Sequence, residues 1–148
     1  MHKLIGHNRI IGVLLALAVG LSTIWVIPAS AGDLVVIVNK EVPADAISAS
    51  DLGRIFLGKT RLWESGEKIV LAVWSDPDAS DTFLKRYTRK KSDQYYAYWT
   101  RRVFTGKGTM PVYFDSQEEI TEFVKSTKGA ISFLSAPVDP SVKTLIVK

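Results

Sequence analysis

From residue 34 onward, unbroken apolar runs alternate with apolar residues at helical spacing. Leu34 to Val38 reads Leu-Val-Val-Ile-Val, a β-branched run of the kind that forms a strand buried on both faces. Ile69 to Trp74, Ala130 to Leu134 and Thr144 to Val147 repeat that signature. Between them, apolar residues recur three and four apart: Leu52, Ile55 and Phe56; then Phe83, Leu84 and Tyr87; then Tyr95, Tyr96, Trp99 and Val103; then Ile120, Phe123 and Val124. Each of these predicts an amphipathic helix. The punctuation agrees. Ser48 with Asp51 and Ser116 with Glu119 have the spacing of capping boxes, and Gly58, Gly106 and Gly129 stand where helices stop. Asp78 or Ser80 is the expected N-cap of the second helix, and Ser92 that of the third. Strands alternating with helices predict an α/β fold, a three-layer sandwich with a mostly parallel or mixed sheet.

The first 31 residues follow a different logic. Lys3 and Arg9 precede an apolar run from Ile10 to Ile27, and Ala29-Ser30-Ala31 supplies a small-residue cleavage signal. The expectation is a signal peptide over residues 1–31 and a single domain over 32–148, located in the periplasm. A retained anchor is the other reading of the same run; if the signal is cleaved, the mature chain has no membrane span. Lys3 and Arg9 also account for two of the 19 basic residues, which leaves 17 against 15 acidic ones. A domain this close to neutral gives no reason to expect a nucleic-acid partner.

Two absences narrow the chemistry. The chain has no cysteine, and its two histidines, His2 and His7, both fall in the leader. The domain therefore lacks a thiolate, an imidazole base and the usual zinc ligands. This points to a protein that is not an enzyme and uses no cofactor or metal.

Gly53, Gly58, Lys59 and Thr60 formally satisfy the phosphate-loop pattern of nucleotide hydrolases. That loop needs a buried strand before it and a long helix after it. Here the preceding residues, Ser48 to Asp51, open a helix, and only a few residues separate Thr60 from Gly66. The stretch reads better as a helix closed by Gly58.

The best candidate site is the segment from Ser75 to Thr82. It leaves the carboxyl end of a strand and enters a helix, the place where open α/β sheets bind ligands and where free N–H groups attract anions. Ser75, Ser80 and Thr82 offer hydroxyls, while Asp76 and Asp78 suit a ligand that still carries a proton. A plain helix cap is the alternative reading. Lys59 and Lys107, each next to a helix-stop glycine, are possible accessory cations. Residues 85–91 read either as a dock for an acidic partner or a lipid headgroup, or as a solvated face. Tyr95, Tyr96, Tyr98 and Trp99 read either as a sugar-stacking cluster or as core with one or two rings left at the surface.

Leu52-x-x-Ile55-Phe56-Leu57-Gly58-Lys59 with Trp63, the strand and Ser/Asp-rich helix start at 70–82, and Gly129-Ala130-Ile131-Ser132-Phe133 occur in an order that resembles the periplasmic phosphate-binding proteins of ABC transporters. These belong to the two-lobed solute-binding class. The resemblance spans most of residues 34–135 and implies one lobe of that fold, a small oxyanion such as phosphate as ligand, and association with an ABC-type transport system. It sets Asp76 or Asp78, Ser80 and Thr82 on the family's anion loop, with Trp74 at its arginine and Ala79 and Asp81 at its glycines. A homodimer or an envelope protein partner would complete such a lobe. The alternative is a ligand-free periplasmic interaction or sensory module that retains only the lobe fold.

Overall fold

A computed structural model describes residues 33–148; the expected leader, its cleavage signal and Gly32 lie outside the described residues. Ten elements follow in order: β1 (Leu34–Val38), β2 (Ala46–Ile47), α1 (Ala49–Phe56), β3 (Val70–Trp74), α2 (Pro77–Thr88), α3 (Ser92–Phe104), β4 (Val112–Phe114), α4 (Gln117–Ser126), β5 (Ala130–Ser135) and β6 (Lys143–Val147). The strands form one mixed sheet in the order β2-β6-β1-β5-β3-β4. β1 runs antiparallel to both β5 and β6, while β3 runs parallel to β5 and β4.

Alternation along the strands sets up two cores. Val36, Val38, Leu71, Val73, Ile131 and Phe133 meet Leu52, Ile55 and Phe56 of α1, Phe83 and Leu84 of α2, and Tyr95 and Trp99 of α3. Ile37, Ala130 and Leu134 face the other way, onto Ile120 and Val124 of α4. The result is the expected three-layer α/β arrangement. Phe83 stacks on Phe133 with ring centroids 4.0 Å apart, and Phe56 meets Phe83 edge-on at 5.0 Å. Such pairs add about 0.5–1.5 kcal/mol each beyond simple burial.

Several local expectations are refined. Ser48 Oγ accepts from the Asp51 N–H at 3.0 Å, but its hydroxyl donates to the Asp51 carboxylate at 2.7 Å, so the reciprocal half of the box is made side chain to side chain. The N-cap of α2 is Asp76, not Asp78 or Ser80, because Pro77 fills the first helical position, where its missing N–H costs nothing. The N-cap of α3 is Lys91; Ser92 is already helical, with its N–H and hydroxyl bonded to Asp81 of α2 at 2.9 and 2.7 Å. On α3, Tyr95 and Trp99 are buried, but Tyr96 and Val103 are exposed. The short strands β2 and β4 come as additions to the predicted set.

The end of α1 shows why the α3 aromatics sit where they do. Helix ends leave carbonyls without partners. Tyr95 Oη donates to the Phe56 carbonyl at 2.7 Å and Trp99 Nε1 to the same oxygen at 3.2 Å. Tyr98 Oη takes the Leu57 carbonyl at 2.7 Å and Arg102 Nη2 the Gly58 carbonyl at 3.1 Å. The cluster is core on its ring faces and a helix cap at its polar tips.

Candidate functional site

β3 ends at Trp74, and two residues later the chain enters α2. Three interactions fix that turn. The Ser75 N–H donates to the Phe114 carbonyl at 2.8 Å. Asp76 Oδ1 accepts from the Ala79 N–H at 2.8 Å. The Ser80 hydroxyl donates back to the Trp74 carbonyl, and Ser80 is buried. A cleft of about 530 Å³ opens beside the turn, walled by Trp74, Asp76, Asp78, Thr82 and Arg86, with Asp33 from just before β1 and Ser135 from the end of β5.

The sequence-predicted residues divide clearly. Asp76, Asp78 and Thr82 line this cleft. Ser75 is exposed and lies outside the lining, and Ser80 spends its hydroxyl on the backbone. Lys107 lines a different cleft, together with Val70 and Val112 at the starting ends of β3 and β4. That cleft is separated from Trp74 by the length of β3, roughly 13 Å. Lys59 is exposed and lines neither cleft.

Arg86 belongs, by sequence alone, to the cationic stretch 85–91 and not to this cleft. It follows Asp78 and Thr82 at steps of four, so all three share one face of α2, and that spacing was the available signal. Its guanidinium also lies 5.4 Å from the centroid of the Tyr87 ring.

The start of α2 has little left to offer an anion. Pro77 has no N–H, the Ala79 N–H is bonded to Asp76, and the Ser80 N–H goes to the Asp76 carbonyl at 2.9 Å. Of the first helical residues, only Asp78 keeps an unbonded N–H. The side-chain donors along the α2 wall are the Thr82 hydroxyl and the Arg86 guanidinium, and the Ser135 hydroxyl stands across from them. Against them stand the carboxylates of Asp33, Asp76 and Asp78. Such a site repels a fully ionised dianion and suits a ligand that can both accept and donate. Asp81, at a position the resemblance gives to glycine, points its carboxylate to α3. The Ser92 N–H and hydroxyl hold its pKa below the ordinary 3.8. Among the described residues no group of His, Cys, Asp and Glu could hold a metal ion, and no helix is long and apolar enough to cross a membrane.

No family model and no curated protein matches this chain. Solved structures do. Over 78% of its length the chain superposes on 44% of a phosphate ABC transporter substrate-binding protein from Clostridium perfringens, solved with bound phosphate, at a TM-score of 0.60 and 21% identity. The same share matches 46% of an ABC-type phosphate transport receptor from Vibrio cholerae at 0.60 and 19%, and 47% of PstS from Borrelia burgdorferi at 0.58 and 16%. The chain thus has the fold of one lobe of these substrate-binding proteins and spans less than half of their length.

Proposed function

We propose that this chain is an exported solute-binding-like protein, not an enzyme, whose cleft beside β3 and α2 takes a small oxyanion in a protonated form, with dihydrogen phosphate as the type ligand. The observation that carries this reading is the shared face of Asp78, Thr82 and Arg86. A hydroxyl and a guanidinium donate from the same wall that presents carboxylate acceptors. The lobe fold, found also in a protein solved with phosphate, supports it. One lobe supplies one wall, so a second copy of the chain or an envelope protein of an ABC-type system closes the other side. Export rests on the leader pattern of residues 1–31.

A second reading has its own support. Trp74 stands where the resemblance expects an arginine, and the Ser80 hydroxyl and most N–H groups at the α2 start are committed internally. Those features suit a lobe that has given up its ligand and serves as an interaction module.

Thermal unfolding of the purified protein separates the two. On the first reading phosphate raises Tm, more strongly below its second ionisation than above it. A hundredfold excess over Kd corresponds to about 2.7 kcal/mol. Sulfate, which brings no proton to donate, gives little shift, and Thr82→Ala weakens the phosphate effect. Unchanged unfolding with every oxyanion tried would leave the interaction module. The mass in solution, measured alongside, reports whether a second copy is bound.

A further inference from the structure

The starting end of β3 carries a cleft of different chemistry. α1 and α3 finish in the same kind of turn. The Gly58 and Lys59 N–H groups bond to the Ile55 and Arg54 carbonyls at 2.9 and 2.8 Å, and those of Gly106 and Lys107 to Val103 and Arg102 at 3.0 and 2.8 Å. Arg102 Nη2 joins the two turns, donating to the Gly58 carbonyl at 3.1 Å and the Lys107 carbonyl at 2.9 Å. Trp99 fills the space between them. A methyl group added at Gly58 or Gly108 would come within 2.5 or 2.8 Å of its ring. These contacts hold open a cleft of about 240 Å³, floored by Ile55, Leu71, Trp99 and Met110.

Its rim is cationic. Arg61, Lys68 and Lys107 line it, and no Asp or Glu does. Among the described residues none of the three pairs with a carboxylate. Glu67, the neighbour of Lys68, turns toward Gly129 and Lys128 instead. Unneutralised cationic residues lining a cleft with an apolar floor match a ligand with one anionic end and one apolar end. An inorganic anion would leave the floor unused. The volume, equal to about eight waters, holds a short body.

We infer that this cleft is a binding site for a small organic carboxylate with a compact apolar body, benzoate or hexanoate being the right size. The anionic group lies among Arg61, Lys68 and Lys107, and the apolar body lies against Trp99. The site stands at the opposite end of β3 from the oxyanion cleft and does not depend on it.

The test is a benzoate titration of protein purified from cells expressing the full chain, followed by amide and indole NMR shifts. Perturbations are expected at Gly58, Gly108 and the Trp99 indole. Benzamide, the neutral isostere, should bind at least tenfold more weakly. Lys68→Gln with Lys107→Gln, both at exposed positions, should weaken benzoate about tenfold, while Thr82→Ala leaves it unchanged. Silence at the three reporters with millimolar benzoate, equal binding of benzamide, or equal shifts there with inorganic phosphate would each overturn the assignment. A failure of phosphate to act at residues 75–82 would not touch it.

Discussion

Gly53 sits inside α1 with the Tyr87 carbonyl close above it: a Cβ at this position would lie 2.3 Å from that oxygen. The glycine is there because α1 and the end of α2 approach backbone to backbone, and not because a phosphate needs a loop. Gly58, at φ +65°, is the left-handed residue that closes α1, with Trp99 pressed against it. The pattern shared with nucleotide hydrolases thus has a packing origin at both glycines. Gly53→Ala is expected to cost about 1–3 kcal/mol through forced separation of the two helices. Lys59→Ala, at an exposed position, should stay within about 0.5 kcal/mol. Urea midpoints of the two variants check this, and equal midpoints would refute the packing account.

Asp81 links two elements, α2 and α3, through the Ser92 N–H and hydroxyl. Those donors favour the ionised carboxylate and hold its pKa below 3.8, so it stabilises the fold above its unfolded-state value. That contribution disappears as pH falls through the depressed native value. Asp81→Ala should therefore lower Tm at neutral pH, with the gap to the parent narrowing in strong acid; a gap independent of pH would count against the link. Elements defined by their own residues were legible in advance. β1, β3, β5 and β6 announce themselves as apolar runs, and α1 and α4 by Ser48 and Ser116. Elements defined by a partner were not. β2 has two residues and β4 three, too few for a period, and each is a strand only because β6 or β3 lies alongside. The site divides the same way. Residue type singled out Asp76, Asp78 and Thr82, which line the cleft, but nothing local showed that the Ser80 hydroxyl turns back to Trp74, or that Asp33 and Ser135 arrive from distant parts of the chain.

Across the whole molecule, β1, β5 and β3 lie at the middle of the sheet with helices on both faces, while β2 and β4 form short edges. Short edges limit sheet-to-sheet pairing between copies. Native-state hydrogen exchange should find its slowest amides in the buried parts of β1, β3 and β5 and faster ones in β2 and β4; edges as slow as the centre would contradict this layout. Asn39, just past β1, adds a tie between layers, since its Nδ2 donates to the Val124 and Lys125 carbonyls at the end of α4, at 2.9 and 3.0 Å. On the opposite face Arg102 ties two helix ends within one layer, and its geometry bears on which sequence changes count as mild. One guanidinium nitrogen, Nη2, serves two carbonyls from two helix ends while the guanidinium lies 5.5 Å from the centroid of the Trp99 ring. A lysine would keep the charge and lose the plane, so the substitution treated as most conservative for arginine is at this position a change of shape. Position 102 constrains drift by geometry, where most of the basic surface constrains it only by sign.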